Sequence, residues 1–374
     1  MNKPIRVGVV IGKWINYGVE TLVLNCYRNI DKSKIQFDFI IDEDSGATPT
    51  EEIESMGGRV IIVPPYQKPI RYHKALVKLF RDNEYKIVHA HTSTLCVFPL
   101  WAAKSAQVPI RIAHCHTTAG KGEYLKNIIK YSLRPFSMMY PTHLAASSHF
   151  GGEWLFGKGC FEKYDMYYLP VARDIEQFIY NEERRNKIRK ELGVVGKFVV
   201  GHLGRFVPQK NHMFLIDVFK EIHSMDSNAV LLLAGDGELI DDVLKKVNKL
   251  GLTEYVLFLG RRSDASNLYQ AMDVFILPSL YEGVPGTGIE AQSAGLPFIY
   301  SNTVTDEARI LSTTFRLPLD VGAKKWAETA IDSKQHPREN TYQEMTDAGY
   351  NIKVAARELE NYYIGLVENL KLLT

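Results

Sequence analysis

The sequence of 374 residues has no long apolar run and almost no excess of charge of either sign. Because no stretch of about 18 consecutive apolar residues occurs, we expect no membrane-spanning helix. The formal net charge of +2 excludes a general attraction to nucleic acid or to a membrane, and it leaves only local basic patches. The amino-terminal stretch also lacks the apolar core and the small-residue cleavage site of a secretion signal.

Cysteine is scarce as well. The four cysteines, Cys26, Cys96, Cys115 and Cys160, lie far apart and show no CxxC spacing. Scattered cysteines of this kind favour a reducing compartment over a framework of disulfides. The sequence therefore predicts a cytoplasmic protein, either soluble or peripheral on the inner face of the cell membrane.

Short apolar runs alternate with helical patterns along the whole chain, which at this length suits two domains better than one core. Strands that are apolar on both faces and separated by helices are typical of parallel sheets covered on both sides. The expected fold class is α/β, with two doubly wound Rossmann-like domains facing across a cleft. The apolar runs are 5–11, 37–41, 60–63, 87–91, 110–116 and 143–147 in the first half, and 197–204, 229–237, 256–260, 273–279 and 297–301 in the second.

A charged stretch over 171–195, without a clear strand pattern, separates the two halves. We therefore expect an amino-terminal domain over 1–180 and a second domain over 181–345. The remaining residues, 346–374, have a helical composition and are expected to pack back on the first domain. Because ligands bind outside the carboxyl ends of such strands, the interdomain cleft is the expected ligand site.

A basic loop follows the first strand of the second half. The stretch GHLGRFVPQKNH ends a strand at Gly204 and places Arg205 and Lys210 before the next helix. A planar guanidinium and a lysine ammonium five positions apart can clamp a diphosphate, and the following helix start adds backbone N–H donors. A solvated basic turn explains this loop equally well when it is considered alone.

Two glutamates flank a glycine-rich turn in the stretch EGVPGTGIE. Glu282 follows a predicted strand, and the next helix begins near Gly286 and Thr287, where the backbone can approach a phosphate closely. Glu290 can accept hydrogen bonds from the vicinal hydroxyls of a ribose, and Glu282 is placed to hold hydroxyls beyond the phosphates. The alternatives are an acid that faces the helix dipole for Glu282 and a buried ion pair for Glu290.

Together these stretches resemble the donor domain of a glycosyltransferase of the GT-B fold, from the large retaining family four with its E-x7-E motif. The resemblance covers nearly all of residues 197–301, and the first half is similar to the acceptor domain more loosely. Within the family, the sequence most resembles bacterial exopolysaccharide and capsule transferases. The stretches are GRFVPQKN, LLAGDGEL, VLFLGRRSDASNLYQAMDVFILPS and EGVPGTGIEAQSAGLP in the second half, and GKWINYGVETLVLN, KIVHAHTS and RIAHCHTT in the first.

The resemblance implies a role for each residue of the second half. Arg205 and Lys210 would neutralise the diphosphate leaving group, on which charge develops as the glycosidic bond breaks. Glu290 would bind the ribose, and Glu282 would contact the donor sugar. Gly286 and Thr287 would offer backbone donors to the distal phosphate.

Three further residues take roles from the resemblance alone. Arg262 would border the base, mainly through its backbone, and Gly18 would pass close to the donor phosphate or the acceptor. His116 would lie near the hydroxyls of the transferred sugar, whereas in an inverting enzyme it would deprotonate the acceptor. The sequence departs from the family at the domain junction, where LPVARDIEQF lacks the usual Asn-Gly or Asn-Ala pair after the proline.

The expected function is transfer of a sugar from a nucleotide-diphosphate donor, taken to be a UDP-sugar, to a glycan or lipid-linked saccharide acceptor. Retention of the anomeric configuration is implied by the resemblance alone, and we expect no cofactor, no metal ion and no nucleic-acid partner. One alternative is a GT-B epimerase that acts on UDP-sugars, although the first domain has no persuasive set of catalytic carboxylates. Another is a non-catalytic sugar-nucleotide-binding partner of a transferase.

Three other patterns have competing interpretations. Two HxH pairs, His89/His91 and His114/His116, could approach zinc spacing on adjacent strands, but hydrogen-bonded core histidines are commoner. The DED at 42–44 imitates a metal motif, and we expect a solvated turn there.

The stretch KGEYLKNIIKYSLRPF predicts an amphipathic helix that ends near Arg134 because of Pro135. Its basic face, Lys126, Lys130 and Arg134, could lie on anionic lipid, or the helix could pack on its own sheet.

Overall fold

The computed structural model describes residues 3–15, 18–120 and 124–372, and it leaves the side chains of Tyr124 and Lys126 undescribed. The chain divides into two compact units. Unit 1 comprises Met1–Ala172 and Asn351–Thr374, and unit 2 comprises Arg173–Tyr350. The sequence had placed the corresponding boundaries after residues 180 and 345.

The helices and strands alternate along both units. The strands are β1 Ile5–Gly12, β2 Ile35–Asp42, β3 Arg59–Val63, β4 Ile87–Ala90, β5 Ile110–Cys115, β6 His143–Ala146, β7 Met166–Tyr168, β8 Phe198–Leu203, β9 Ala229–Ala234, β10 Val256–Phe258, β11 Val274–Leu277, β12 Phe298–Ser301 and β13 Thr314–Leu317. The α-helices are α1 Gly18–Asn29, α2 Thr50–Ser55, α3 Pro69–Asp82, α4 Val97–Ser105, α5 Tyr124–Leu133, α6 His149–Phe156, α7 Cys160–Lys163, α8 Glu182–Glu191, α9 His212–Met225, α10 Ile240–Lys249, α11 Ala265–Ala271, α12 Gly286–Ser293, α13 Gly322–Asp332, α14 Tyr342–Asp347 and α15 Ile352–Leu372.

The strands of unit 1 form one parallel sheet in the order β3-β2-β1-β4-β5-β6-β7. Alternate residues of a strand point to opposite faces, so Val7 and Val9 enter one buried cluster while Val10 enters another. Both faces of the sheet are therefore covered, as the apolar runs predicted. The order reverses between β1 and β4, and ligands of open α/β sheets bind outside the carboxyl ends of the strands at such a switch point.

The last helix, α15, packs against α1 and completes the core of unit 1. Its Tyr363 ring meets Phe37 edge to face, with ring centroids 6.0 Å apart. Glu360 accepts hydrogen bonds from the backbone N–H of Asp31 at 3.0 Å and from Lys34 Nζ at 2.8 Å. The helix is thus attached to unit 1 by both apolar and polar contacts.

The strands of unit 2 form a second parallel sheet in the order β10-β9-β8-β11-β12-β13. Its order reverses between β8 and β11. The loops that follow these two strands contain Lys210 and Glu282. The connectivity of the sheet therefore places both predicted site residues at the switch point of unit 2.

The surface around α5 is apolar. Within the described residues, Leu125 is 80% exposed, and no helix is long and apolar enough to cross a bilayer. The helix ends at Leu133 and a 3-10 turn follows over Arg134–Phe136, as Pro135 predicted. Burial of this apolar face against the sheet is therefore the wrong interpretation of the pattern. We call the following residues the exposed apolar surface: Leu125, Ile128, Ile129, Tyr131, Phe136, Met138, Met139 and Phe150.

The DED stretch is not simply a solvated turn. Glu43 and Asp44 are exposed and pair with Lys68 and Lys13, as expected, but Asp42 ends β2 and is buried. Burial raises the pKa of Asp42 to about 6, and the neighbouring Asp44 contributes to the rise. The expectation of a solvated turn is wrong for Asp42 because the strand continues through it.

We predict that Asp42→Asn stabilises the protein at neutral pH. The unfolded pKa of an aspartate is about 3.9, and the folded pKa lies above it. The native state therefore loses stability as the pH rises from about 4 through about 6. The difference in unfolding free energy between Asp42→Asn and wild type should grow by about 2 kcal/mol between pH 4 and pH 7, measured by urea denaturation.

The matched control is Asp44→Asn. Lys13 holds the pKa of the Asp44 carboxyl below its usual range, so this variant should show no gain as the pH rises. Wild type and Asp42→Asn curves that stay parallel over this range would contradict a raised pKa at Asp42.

Candidate functional site

Two loops of unit 2 are joined to each other at the switch point. The backbone N–H of Leu280 donates to the Gln209 carbonyl at 2.8 Å, and Gln209 Nε2 donates to the Tyr281 carbonyl at 3.0 Å. Asn211 Nδ2 adds a bond to the Pro278 carbonyl at 3.2 Å. These bonds fix the loop after β8 against the loop after β11.

Lys210 and Glu282 form an ion pair within this frame. Lys210 Nζ lies 2.6 Å from Glu282 Oε1, and the side chains are only 15% and 10% exposed. The Ser279 hydroxyl donates to the same carboxylate oxygen at 2.6 Å. The structure thus brings together the two residues that the sequence assigned to the phosphate and to the sugar. A phosphate that reached Lys210 would share its ammonium with Glu282, since an ammonium has three donors.

Arg205 is exposed, and the backbone of its loop is held by hydrogen bonds to the end of β9 and the turn that follows it. Phe206 N–H donates to the Asp236 carbonyl at 2.7 Å, and Gly204 N–H donates to the Ala234 carbonyl at 3.0 Å. Gly235 has φ +146°, and a Cβ built on it would overlap the carbonyl oxygen of Gly204. The GDG stretch is therefore a tight turn that lets two backbones approach closely, and it supports the loop that carries Arg205.

Glu290 lies in α12 and has two strong partners. Arg173 Nε donates to its Oε1 at 2.8 Å, and the Tyr269 hydroxyl donates to its Oε2 at 2.9 Å and to the Thr287 carbonyl at 3.1 Å. Burial, followed by the charge of Glu290, raises the pKa of Tyr269 well above its usual value, so the phenol keeps the proton that it donates. Glu290 thus forms the ion pair that the sequence offered as an alternative, although its side chain is 16% exposed, and its contact with a ribose stays a prediction.

Sequence reasoning missed Arg173. The signal was present, because the junction LPVARDIEQF departs from the family pattern at this place. A Cβ built on Gly286 would overlap the Arg173 guanidinium, so this cation lies directly over the first residue of α12. The hydroxyl oxygen of Thr287 at the same helix start is buried and has no hydrogen bond within the described chain. The start of α12 therefore combines backbone N–H groups, a cation and an unused hydroxyl, all suited to an anion.

The side chain of Arg262 is occupied within its own loop. Its Nε lies 2.7 Å from Asp264 Oδ1 and its Nη2 lies 2.8 Å from Oδ2, a bidentate pair. The contact of the Arg262 backbone with a base stays a prediction. Gly18 begins α1 in unit 1, and a Cβ built on it would meet nothing within 4 Å; the preceding Asn16 and Tyr17 lie outside the described residues.

His116 belongs to a set of stacked, hydrogen-bonded histidines in unit 1. Its Nε2 lies 2.9 Å from His91 Nδ1, and its Nδ1 lies 3.0 Å from the Ser147 hydroxyl. Burial lowers the pKa of His116 to about 3. Both ring nitrogens are therefore already in hydrogen bonds, and neither is poised to accept a proton from a ligand. Among the described residues, His89, His91 and His114 are the group with metal-like spacing, with ligand atoms within 4.8 Å of one another.

Both halves of the chain match known family models. Residues 17–153 match the model described as Glycosyltransferase Family 4, and residues 197–327 match the model described as Glycosyl transferases group 1. The chain is 33% identical over 356 residues to the putative glycosyltransferase EpsF of Bacillus subtilis, covering 92% of this chain and 93% of that protein. It is 31% identical over 281 residues to an Escherichia coli UDP-Gal:alpha-D-GlcNAc-diphosphoundecaprenol alpha-1,3-galactosyltransferase, covering 71% of this chain and 72% of that enzyme.

Solved structures share the fold. The Anabaena protein HepE in complex with UDP superposes with a TM-score of 0.80 at 17% identity, covering 96% of this chain and all 100% of that chain. HepE in complex with UDP-glucose gives a TM-score of 0.78 at 18% identity, covering 98% of this chain and 99% of that chain. At this identity the likeness concerns the fold alone. Together with the two parallel sheets, it confirms the expected α/β fold class of the GT-B type.

We predict that Gly286→Ala lowers the free energy of unfolding by about 1–3 kcal/mol, the usual effect of overpacking. The added methyl group would displace the Arg173 guanidinium from Glu290. In an Arg173→Ala background the same change should cost little, which a double-mutant cycle of urea denaturation measures. Gly283→Ala is the matched control, because a Cβ at Gly283 meets nothing within 4 Å. Additive costs in the cycle would argue against the overlap.

Proposed function

Because the chain belongs to the glycosyltransferases of group 1 and family 4, we propose that it transfers a sugar from a UDP-sugar to a glycan or lipid-linked saccharide. We place this reaction in the synthesis of a surface polysaccharide, with retention of the anomeric configuration and without a metal ion or cofactor. The relatives support this placement, since the name of the Escherichia coli enzyme gives a UDP-galactose donor and a diphosphoundecaprenol acceptor. A Staphylococcus aureus relative is named as a capsular polysaccharide glycosyltransferase.

The observation that carries the proposal is the convergence of cations and donors at the switch point of unit 2. Lys210 and the start of α12 are on the two loops that the connectivity brings to one edge of the sheet. Arg173 lies over that helix start, and Arg205 is on the loop that also bears Lys210. Fixed positive charge of this kind stabilises a diphosphate as it leaves, because the negative charge on it grows in the transition state.

The two carboxylates take different parts in the proposed reaction. Glu290 is held by Arg173 and Tyr269, and it would accept hydrogen bonds from the ribose hydroxyls with its remaining lone pairs. Glu282 is held by Lys210 and Ser279, and it would contact the donor sugar. Its pairing with Lys210 means that arrival of the phosphate and orientation of Glu282 are coupled.

The exposed apolar surface of unit 1 is the proposed contact with the membrane. Lys130 and Arg134 accompany it, and the Arg134 guanidinium lies over the Trp154 ring at 5.5 Å. Apolar side chains together with cations favour anionic lipid, where a lipid-linked acceptor would be found. The third basic residue that the sequence assigned to this face, Lys126, has its side chain outside the described residues.

We predict that nucleotides raise the melting temperature of the protein in a thermal-shift panel, and that UDP raises it more than UMP. The second phosphate should contact Lys210, Arg205 and the α12 start. A ligand at about 100 times its dissociation constant adds roughly 2.7 kcal/mol to the free energy of unfolding. EDTA should leave the UDP shift unchanged, and a UDP-sugar should exceed UDP through Glu282. A larger shift with GDP would correct the base, whereas folded protein with no shift for any nucleotide would contradict the donor site.

Variants of the ion pair separate binding from folding in the same panel. Lys210→Met leaves Glu282 buried without its partner, which should cost about 3–5 kcal/mol of stability. Lys210→Met with Glu282→Gln removes both charges and should recover most of that loss. The double variant should nevertheless lose the difference between UDP and UMP. Retention of that difference would remove Lys210 from the phosphate contact.

We predict that Ile128→Asp lowers co-sedimentation with phosphatidylglycerol vesicles several-fold. The change places a charge within the exposed apolar surface, at an isoleucine that is 62% exposed. Ile70→Asp is the matched control, because Ile70 is also an exposed isoleucine on a helix of unit 1. High salt should weaken the binding by screening Lys130 and Arg134. Equal binding by both variants would exclude this surface as the lipid contact.

A further inference from the structure

Unit 2 has a second concave surface, at the amino edge of its sheet. A groove of about 580 Å³ opens beside the first residues of β8 and β11. Because the strands are parallel, this edge lies opposite the carboxyl edge with Lys210 and Glu282, and the length of β8 separates the two edges by about 20 Å. We call this surface the basic groove. Its charged lining residues are Arg185, Lys197, Asp226, Asp273, Lys334 and Arg338.

Two arginines of the groove bind the carboxyl ends of helices. Arg185 Nη1 donates to the carbonyls of Gln270 at 3.0 Å and Met272 at 2.8 Å, at the end of α11. Arg338 Nη1 also donates to the Gln270 carbonyl at 3.0 Å, and its Nε donates to the Ala294 carbonyl at the end of α12 at 3.0 Å. These carbonyls carry the negative ends of the helix dipoles, so they compensate part of the positive charge.

Asp273 is the one carboxylate that pairs with the arginines of this region within the described residues. Its Oδ1 lies 2.5 Å from Arg185 Nη2, and its Oδ2 lies 3.2 Å from Arg189 Nη1. The same Oδ2 accepts a hydrogen bond from the backbone N–H of Val199 at 2.7 Å. Asp273 therefore has no capacity left to neutralise a third guanidinium.

The other acid of the groove is also occupied. Asp226 Oδ2 lies 2.5 Å from Lys334 Nζ, and the Lys334 ammonium lies over the Phe198 ring at 4.2 Å from its centroid. This pair is neutral as a whole. It therefore leaves the charge at the bottom of the groove unchanged.

The charges at the bottom of the groove do not cancel. Three guanidiniums, those of Arg185, Arg189 and Arg338, share one carboxylate, and the two helix ends add about half a negative charge each. An excess of about one positive charge remains. Lys197 adds an ammonium at the start of β8, and its side chain has no hydrogen bond or ion pair among the described residues.

Arg338 is the arginine that lacks a carboxylate. Within the described chain its guanidinium makes no ion pair, and its bonds all go to backbone carbonyls. Burial lowers the pKa of Arg338 to about 9, and the charge of Arg185 contributes to the fall. An anion beside Arg338 would stabilise its charged form.

Some N–H groups of the two arginines are unused and already oriented. Among the described residues, Nε–H and one Nη2–H of Arg185 and one Nη2–H of Arg338 have no acceptor. The Arg338 guanidinium lies 4.5 Å from the centroid of the Tyr180 ring, which holds its plane from one face. Donors that are fixed in advance lower the entropic cost of binding a ligand.

We propose that the basic groove binds a phosphate group, as the free ion or as a monoester, at a site separate from the candidate donor site. Arg185 and Arg338 supply directed N–H donors, and Lys197 supplies an ammonium from the start of β8. Donors on three side chains suit a tetrahedral anion with several acceptor oxygens. The charge of a phosphate, between one and two negative charges near neutral pH, matches the excess in the groove.

A purely structural role is the alternative. The bonds to the ends of α11 and α12 account for the guanidiniums as helix caps. They do not involve the Lys197 side chain, and they leave the positive excess in place. The side chain of Lys197 therefore distinguishes a phosphate site from a set of helix caps.

The test is calorimetric titration of the full chain with inorganic phosphate, at constant ionic strength in sodium chloride. The protein carries Lys210→Met and Glu282→Gln, so that the proposed phosphate contact of the donor site is removed. We expect saturable binding of one phosphate per chain below about 10 mM. No binding in this background would overturn the proposal.

Lys197→Gln in the same background is the decisive variant, because it leaves every helix-end bond intact. Loss of one charge-assisted hydrogen bond should raise the dissociation constant for phosphate about tenfold. Lys324→Gln is the matched control, since Lys324 is an exposed lysine of α13 outside the groove, and it should leave the constant unchanged. Equal constants for Lys197→Gln and Lys324→Gln would refute the site.

Arg338→Gln adds a second measurement. It should weaken phosphate binding by at least about tenfold, and urea denaturation of the same variant reports whether the protein is still folded. If this variant is unfolded, Lys197→Gln alone decides. Folded Arg338→Gln protein that binds phosphate as tightly as its parent would contradict the contact.

The source of the phosphate group is distinguished by titrating glycerol 3-phosphate beside inorganic phosphate. Tighter binding of glycerol 3-phosphate would assign the groove to the phosphate of a larger molecule, and tighter or equal binding of inorganic phosphate would assign it to the free ion. Either result supports the site only with the loss in Lys197→Gln. The site does not depend on the proposed function, because failure of the nucleotide panel would leave the phosphate titration unaffected.

Discussion

Lys210 and Glu282 meet on loops that follow neighbouring strands of unit 2, and the geometry of the candidate site depends on this ion pair. Each side chain is almost enclosed, so each charge is tolerable only because the other is present. The bonds between the two loops hold the partners in place. A phosphate that reached this site would replace part of an existing interaction instead of meeting an unoccupied cation, and it would thereby change the surroundings of Glu282.

The sequence revealed the strands that are apolar on both faces, because a parallel strand buried on both faces reads as a nearly continuous apolar run. It did not reveal β7 and β13, which lie at the edges of their sheets and have only three and four residues. Asp42 was taken for part of a turn because its burial depends on β2 continuing to the end of its register with β3. Local composition carries no trace of that register.

Within the candidate site, motif spacing placed Lys210 and Glu282 on the correct loops, but it could not show that they pair. Arg173 was missed for a related reason, since its partner Glu290 lies 117 positions away and only the fold brings them together. The histidines illustrate the same limit. Their spacing in the sequence fitted a metal cluster and a hydrogen-bonded core alike, whereas their hydrogen bonds involve Ser147, which follows β6, and Tyr363 of α15.

The packing of α15 on unit 1 has a consequence for synthesis of the chain. Residues 173–350 are contiguous and contain every strand of their own sheet, so unit 2 can fold as soon as it leaves the ribosome. Residues 1–172 must wait through that interval with the surface of α1 and Phe37 uncovered, because their last partner begins at residue 351. The first segment to be made is thus the last to be completed. During that delay its apolar surface remains open to water, or to a chaperone.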